Sequence, residues 1–314
     1  MGLRHLNDMR LNKGFVPTAV CDSDPARLEV AAREFPGIQT YSDVATMLRK
    51  SDVELLAVVL PHDLHAKVAI KCLNAGRHVV VEKPFAITVK ECDEMIAAAK
   101  KSKVVLSAYH NRHWDSNILT IKKHLSKIGR PFRWDSFGGG FNRPGDWWRS
   151  KKDVSGGIIY DWGAHFCEWM LQVMDYDMQE INGYMVKEVW KHVTNEDELE
   201  AVVRFKGNAV ASHTATDIAL VGKDMIRITG TKGAIVCGHG HCDVFVKDED
   251  NQTVKTSVKM VPARNSDYYK NVHDHLFNSK KLIITPEWAR RVIQVLDYAN
   301  RSARKGTGLK AKYK

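Results

Sequence analysis

Two short segments carry charged and imidazole side chains suited to moving a proton next to a hydroxyl group. Glu82-Lys83-Pro84 follows a short hydrophobic run, and the carboxyl end of a parallel strand is where open α/β sheets bind ligands. In a second segment, Asp161 and His165 are four residues apart, which predicts one face of one helix. A carboxylate one turn from an imidazole orients it and raises its basicity. Each segment alone is more typical of a strand-end salt bridge or a surface Asp–His pair.

A third acidic position, Asp22, follows a predicted strand over 16–21. In dinucleotide-binding folds, a carboxylate at this strand end binds the adenosine ribose, about 20 residues after a glycine-rich turn. Gly2 fits the third glycine of that turn, which lets the first helix pack closely, but the first two glycines and the first strand are absent. Asp22 is equally typical of a helix N-cap. Its charge favours NAD over NADP, while Ser23 and Arg27 leave NADP possible.

The elements that must position these side chains alternate between strands and helices in the first third of the chain. Strands are predicted at 16–21, 38–41, 55–60, 78–81 and 104–108, and helices at 25–35, 42–48, 63–75 and 88–102. The run over 55–60 is continuously apolar, as expected of a strand covered on both faces. Alternation of this kind predicts a Rossmann-like, doubly wound parallel sheet, with its first strand missing.

The pattern changes after about residue 110, where strands follow one another without intervening helices. Strands are predicted at 181–191, 198–206, 208–217, 224–229, 233–237 and 243–247, and helices at 115–126, 157–174 and 286–304. This predicts an α+β domain with a large, mostly antiparallel sheet. The predicted domains are 1–110 for the dinucleotide and 111–314 for substrate and oligomerisation. The last helix, 286–304, is expected to pack back towards the first domain.

Composition narrows the classes of protein to which the chain can belong. The 314 residues are 44% hydrophobic, yet the apolar runs are too short for a membrane span. The net charge of +10 comes from scattered lysines and arginines, without the basic block expected of nucleic-acid binding. Six cysteines fit no disulfide framework, which favours reduced thiols and a cytoplasmic location.

A compact cluster, Cys237-Gly238-His239-Gly240-His241-Cys242, contains four potential zinc ligands within six residues. Structural zinc sites use two separated ligand pairs, and this cluster is too tight to close a tetrahedron easily. We therefore predict a glycine-rich hairpin turn here and no metal site.

Three segments in the same order resemble the Gfo/Idh/MocA oxidoreductases. HAKVAIKCLNAGRHVVVEKPFAIT (65–88) is similar to the family region that ends in Glu-Lys-Pro. GGIIYDWGAHFCEW (156–169) is similar to the signature with Gly-Gly and Asp-x-Gly-x-His, and TPEWARRVIQVLDYANRSARKG (285–306) to the closing helix. The resemblance covers essentially the whole chain.

The resemblance implies a role for each residue of the two reactive segments. Lys83 is expected beside the nicotinamide and the reacting hydroxyl, and His165 is expected to act as general base. Asp161 would hold substrate hydroxyls or the imidazole, and no metal is required. The expected cofactor-binding residues are Gly2, Asp22, Ser23, Arg27, Pro61, His65, Glu82, Lys83 and Pro84. The expected substrate-binding residues are Arg112, Trp148, Arg149, Asp161 and His165.

The implied activity is hydride transfer between NAD(P) and a hydroxyl-bearing carbon of a sugar, polyol or related molecule. Two alternatives remain: an NAD-assisted glycoside hydrolase or epimerase of the same fold, and a non-catalytic regulator that binds nucleotide or sugar. The resemblance also implies a homodimer or homotetramer formed through the C-terminal sheet. The composition predicts no nucleic-acid or membrane partner.

The opening residues, MGLRHLNDMR, predict a helix that starts at the first position. By resemblance, Met1-Gly2 ends a glycine-rich turn, and His5 is the histidine found early in the family's first helix. We expect an N-terminal truncation of about 10 to 20 residues that removes a strand and most of the phosphate cradle. The chain as given is then expected to bind NAD poorly, and an export signal could precede it.

Overall fold

Five short strands form two parallel sheets in the first half of the chain. The computed structural model describes residues 1–12 and 14–314. The strands are β1 (Ala19–Cys21), β2 (Gln39–Tyr41), β3 (Leu55–Val58), β4 (His78–Val81) and β5 (Leu106–Ala108). β1 pairs with β2, and β4 lies between β3 and β5, with all pairs parallel. The predicted Rossmann-like parallel sheet is confirmed.

The sheet is interrupted between β1 and β3. Within the described ranges, no strand pairs with the facing edges of these two strands. A groove of about 1030 Å³ separates them, lined by both strands and by Met1, Gly2 and His5. The predicted single sheet is therefore two sheets, and the gap falls where a doubly wound order places its central strand.

Five helices cover the strands of the first half: α1 (Gly2–Arg10), α2 (Pro25–Glu34), α3 (Val44–Lys50), α4 (His62–Asn74) and α5 (Val89–Ser102). α2 starts at an Asp24 N-cap with proline in its first turn, as predicted. α5 starts at the predicted capping box, in which Thr88 Oγ1 accepts from the Glu91 N–H at 3.2 Å. A Cβ added to Gly2 would meet no described atom within 4 Å, so the close packing predicted there is not seen.

A nine-stranded sheet forms the second half, in the order β13-β12-β11-β10-β6-β9-β8-β7-β14. Its strands are β6 (Pro131–Gly139), β7 (Met178–Val186), β8 (Glu198–Phe205), β9 (Val210–Thr216), β10 (Ile226–Gly230), β11 (Gly233–Gly238), β12 (His241–Lys247), β13 (Thr253–Ser257) and β14 (Leu309–Lys310). Every pairing is antiparallel except that of β6 with β9. The large, mostly antiparallel sheet is confirmed.

One predicted strand is shorter in the structure, because backbone N–H groups in its second half bond to a carboxylate. The strand predicted over 181–191 ends at Val186. Asp197 then accepts the backbone N–H groups of Glu188, Val189 and Trp190, and this local bonding replaces strand pairing.

The helices of the second half are α6 (Ser116–His124), α7 (Lys152–Ser155), α8 (Gly163–Val173), α9 (Asp267–Phe277) and α10 (Pro286–Lys305). The predicted helix over 157–174 is wrong in its first turns: a 3-10 turn spans Ile158–Tyr160, and α8 begins only at Gly163. Gly156 and Gly157 both adopt positive φ, which ends the preceding turn and prevents one continuous helix.

α10 lies between the two halves and contacts both. Arg290 pairs with Asp93 of α5 at 2.8 Å, and the Asp297 carboxylate accepts the N–H of Val89 at 3.2 Å. The same helix packs on α8, β7 and β8. No helix in residues 1–12 or 14–314 has both the length and the apolar character to cross a membrane.

Candidate active site

A cavity of about 1030 Å³ opens beside the segment that carries Asp161. Its wall combines the start of α6, the ends of β6 and β9, the loop over 142–150 and the turn between β11 and β12. Asp161, Arg112 and Arg149 line it, together with the exposed ring of Trp147. Asp161 and the two arginines, from distant parts of the chain, therefore meet at one concave surface, whereas Lys83 and His165 are not among its lining residues.

The two predicted reactive segments meet through Lys83 and Asp161. Lys83 Nζ donates to Asp161 Oδ1 at 2.6 Å and to the Asp161 carbonyl at 3.0 Å. Arg149 Nη1 donates to the same Oδ1 at 3.2 Å. Burial alone would raise the pKa of Asp161, but the Lys83 and Arg149 charges outweigh it and hold the pKa below its usual value. Asp161 is therefore a stable anion that fixes the Lys83 ammonium at the cavity.

His165 lies in the first turn of α8, between two tryptophans. Its ring centroid is 5.6 Å from that of Trp162 and 6.4 Å from that of Trp169. Its Nδ1 atom is buried and has no hydrogen-bond partner among the described residues. Burial, and then the nearby Lys83 charge, lower its pKa well below the ordinary value, so the ring is neutral and able to accept a proton.

The expected pairing of Asp161 with His165 on one helix face is not observed. Asp161 lies in the turn before α8, and its carboxylate bonds to Lys83 and Arg149 instead. Two cations attract the carboxylate more strongly than a neutral imidazole does, which is the physical reason for this geometry.

Glu82 points away from the cavity into a buried network. Its Oε1 lies 3.1 Å from His5 Nε2, and its Oε2 accepts the Lys83 backbone N–H at 2.8 Å. The Tyr269 hydroxyl lies 2.6 Å from His5 Nδ1. Glu82 thus connects α1 to the peptide group of Lys83.

The residues after β3 also support the site through buried hydrogen bonds. Pro61 is the N-cap residue of α4, and His65 is completely buried. The two ring nitrogens of His65 lie 2.8 Å from the Pro84 carbonyl and 2.9 Å from the Leu60 carbonyl. These contacts place the ends of β3 and β4 side by side.

The predicted substrate residues differ in how directly they face the cavity. Arg112 lines it, pairs with Asp115 at 2.7 Å and lies 4.9 Å over the Trp162 ring. Trp148 packs edge-on against His62 at 4.8 Å, and its neighbour Trp147 is the tryptophan of this pair that lines the cavity.

Two histidines at the site were missed by sequence reasoning. His62 lines the cavity, and its Nδ1 lies 2.7 Å from the Ser155 carbonyl; burial lowers its pKa to about 3. His110 is completely buried, neither ring nitrogen has a partner among the described residues, and burial lowers its pKa to about 4. Their positions just after β3 and β5, at strand carboxyl ends, are the signal that could have found them.

The groove between β1 and β3 has features that suit the adenosine ribose and the diphosphate of NAD(P). Asp22 Oδ1 accepts the N–H of Asp24, while its other oxygen faces the exposed Arg27 at 3.5 Å. Asp22, Arg27 and Gly2 line the groove, and Ser23 is exposed beside them. The open space around Gly2 suits a diphosphate, and the Asp22 carboxylate suits ribose hydroxyls. The described residues fit the cofactor at these positions.

The cluster over 237–242 forms the predicted hairpin turn. Cys237 pairs with Cys242, and Gly238 with His241, around a two-residue turn. Among residues 1–12 and 14–314, no three His, Cys, Asp or Glu side chains are grouped so as to hold a metal ion.

The parallel sheet with an acid after β1, the Lys83–Asp161 pair and a neutral histidine define a class of protein: a two-domain, NAD(P)-dependent oxidoreductase. Residues 1–110 match the family model described as "Oxidoreductase family, NAD-binding Rossmann fold" of Gfo/Idh/MocA, and residues 119–236 match a Gfo/Idh/MocA C-terminal domain model. The chain belongs to the Gfo/Idh/MocA oxidoreductase family.

Relatives and solved structures agree with this assignment. The chain is 26% identical to scyllo-inositol 2-dehydrogenase (NADP(+)) IolW of Bacillus subtilis, over 89% of this chain and 85% of the relative. It is 26% identical to myo-inositol 2-dehydrogenase of Thermotoga maritima, over 75% and 71%. The fold matches WlbA dehydrogenase of Bordetella pertussis, solved with NADH and UDP-GlcNAcA, at a TM-score of 0.83 and 21% identity, over 100% of this chain and 96% of that chain.

Proposed function

We propose that this chain oxidises a hydroxyl-bearing carbon of a sugar, polyol or related small molecule, or reduces the matching carbonyl. The observation that carries the proposal is the Lys83 ammonium, held 2.6 Å from Asp161, which lines the cavity together with Arg112 and Arg149. The relatives named as inositol and levoglucosan dehydrogenases act on this class of compound, which supports the substrate class.

Three side chains would have separate roles in the reaction. Lys83 donates a hydrogen bond to the reacting oxygen and stabilises the negative charge that develops on it. His165, neutral at pH 7, accepts the hydroxyl proton as general base. Asp161 holds Lys83 in place, and accepts hydrogen bonds from neighbouring substrate hydroxyls. Bound NAD(P)⁺ supplies the hydride acceptor, so loss of a proton and a hydride leaves a carbonyl product.

The residues expected to bind the cofactor would contact three of its parts: the adenosine ribose, the diphosphate and the nicotinamide. Asp22 would accept from the adenosine ribose hydroxyls and favour NAD, while Ser23 and Arg27 would tolerate NADP. Gly2 would lie by the diphosphate. Pro61, His65, Glu82 and Pro84 would shape the nicotinamide end, with His65 and Glu82 acting through the backbone of neighbouring residues.

Arginine and tryptophan side chains would position the substrate. Arg149 and Arg112 line the cavity as donors for hydroxyl or carbonyl oxygens. Trp147 exposes an aromatic face on which a sugar ring can stack, and Trp148 holds the loop against His62.

The proposal also covers the domain boundaries, the oligomeric state and the cellular location of the protein. The cofactor domain would span 1–110 and the substrate domain 111–314. A homodimer or homotetramer would form through the open face of the C-terminal sheet, where Tyr184 and Val186 expose apolar surface. Six free cysteines support a reduced, cytoplasmic setting. The scattered lysines and arginines lack the basic block expected of a protein with nucleic-acid partners. Light scattering during gel filtration would measure the mass, and a monomer would contradict the assembly.

A panel of polyols and sugars tests the function by NADH or NADPH formation. Lys83→Met should lower kcat/KM by about 10²–10³, because it removes one preorganised donor to the developing charge. Lys90→Met is the matched control, since Lys90 is exposed and pairs with the half-exposed Glu94 away from the site.

The alternatives give different outcomes in the same panel. Glycoside cleavage or epimer formation without net NADH would favour the hydrolase or epimerase. Tight sugar or nucleotide binding without turnover would favour the regulator. Equal activity of Lys83→Met and the unmodified chain would refute the role of Lys83.

A further inference from the structure

Cys237 and Cys242 face each other across the β11–β12 hairpin, directly below its two-residue turn. The Cys242 carbonyl accepts the N–H of Val258 at 2.9 Å, so the polar backbone groups of Cys242 point away from β11. The two cysteines are therefore a non-hydrogen-bonded antiparallel pair, in which Cα atoms lie about 4.5 Å apart. That separation lies within the range that a disulfide spans.

The two thiols lie on the same face of the sheet in a buried site. Both side chains are essentially inaccessible, and the Cys237 thiol donates to the Asn117 carbonyl at 4.0 Å. Proximity to Cys242, followed by burial, raises the pKa of Cys237. Because the hydrogen bond to Asn117 also favours the protonated form of Cys237, Cys242 is the first of the two to act as nucleophile.

We propose that Cys237 and Cys242 form a reversible disulfide that closes the base of the hairpin turn. The oxidant is a small disulfide such as oxidised glutathione. The Cys242 thiolate attacks one of its sulfurs and releases one glutathione thiolate. Cys237 loses its proton and attacks the mixed disulfide at Cys242, which releases the second glutathione. Two protein thiols are oxidised and one glutathione disulfide is reduced to two glutathione molecules.

The hairpin turn explains how an oxidant reaches the two cysteines and what their disulfide would do. The turn residues His239 and Gly240 are exposed, and a hairpin end opens at a lower free-energy cost than the sheet interior. Gly238, His239 and Gly240 also line the candidate active-site cavity. The disulfide would therefore hold one wall of that cavity in place.

Mass spectrometry of the intact chain tests the proposal directly. The protein is equilibrated in glutathione buffers of increasing oxidised fraction, alkylated and digested with trypsin. Both cysteines lie in one peptide over 233–247, GAIVCGHGHCDVFVK. We expect this peptide to escape alkylation and to be about 2 Da lighter than its dithiol form, and dithiothreitol to reverse the change.

Other products would overturn the proposal. They are complete alkylation of the peptide at every glutathione ratio, or stable glutathione adducts on both cysteines. In Cys237→Ala, a persistent glutathione adduct on Cys242 is expected, because the second thiol is missing. Cys92→Ala is the matched control and should leave the 2 Da loss unchanged.

Discussion

Replacement of His5 by Phe should destabilise the chain far more than an exposed substitution does. His5 is 2% exposed, and its Nε2 lies 3.1 Å from Glu82 Oε1. Phe keeps an aromatic ring in the space next to Tyr109, whose ring centroid is 4.1 Å away, but it removes the hydrogen bond to the carboxylate. Glu82 would then keep one donor, the Lys83 N–H at 2.8 Å.

The size of the effect follows from the burial of the carboxylate. A hydrogen bond to a charged group contributes about 1.5–3 kcal/mol, and a buried charge that loses a partner is costlier to keep than an exposed one. We expect His5→Phe to lower the free energy of unfolding by about 2–4 kcal/mol. His5→Phe combined with Glu82→Met should cost less than the sum of the single changes, because the double variant buries no unpaired carboxylate.

The effect of pH has a definite sign. Burial alone would raise the pKa of Glu82, but the hydrogen bond and charge of His5, followed by Lys83, hold it below the ordinary value. A carboxylate with a lowered pKa in the folded state stabilises the fold above its unfolded pKa of about 4.3. That stabilisation is lost as the pH falls through the folded pKa. The difference between unmodified chain and His5→Phe should therefore be largest near neutral pH and shrink in acid.

Urea unfolding followed by tryptophan fluorescence measures these free energies. The exposed Lys90–Glu94 pair, at 3.8 Å, is the matched control, and its double-mutant cycle should give only about 0.3–0.5 kcal/mol. The reasoning is refuted if the His5 and Glu82 changes add within about 0.5 kcal/mol. A His5→Phe penalty that stays constant from neutral to acid pH would refute it as well.

Two further predictions concern the cofactor groove and helix α5. Asp22→Ala should weaken NAD binding about tenfold or more, because it removes charged hydrogen bonds to the ribose, and should weaken NADP binding less. Calorimetry measures both affinities, and equal losses would contradict the role of Asp22 at the ribose. Thr88→Ala should lower the free energy of unfolding by about 0.5–2 kcal/mol through loss of the N-cap, whereas Thr88→Ser should retain most of it; equal urea midpoints for the two variants would contradict the cap.

Local signals in the sequence predicted several elements correctly. Asp24-Pro25 and the Thr88 capping box mark helix starts by hydrogen bonds within one turn of chain. The apolar runs at 55–60 and 78–81 predict buried parallel strands, because strands with helices on both faces must be apolar throughout. These signals need only neighbouring residues, so no knowledge of the tertiary fold is required.

Other elements escaped sequence reasoning because distant contacts create them. β6 carries a charged and polar pattern with two terminal glycines, yet Trp134 is fully buried and the strand pairs with both β9 and β10. A Cβ at Gly139 would clash with the Thr216 carbonyl, so its glycine reflects close approach of β9 rather than a turn. α9 was missed as well, although Tyr268 and Tyr269 anchor it in the core.

The sequence by itself determined the class of protein, through the resemblance of three ordered segments to one family, two of which carry Glu82-Lys83-Pro84 and the pair Asp161 and His165. Only the tertiary structure decided how these groups pair. It joined Asp161 to Lys83 and Arg149 instead of His165, turned Glu82 towards His5, and brought His62 and His110 to the site. Residue types and spacing encode which chemistry is available, whereas burial and distances of a few ångströms between remote segments select the partner of each charge.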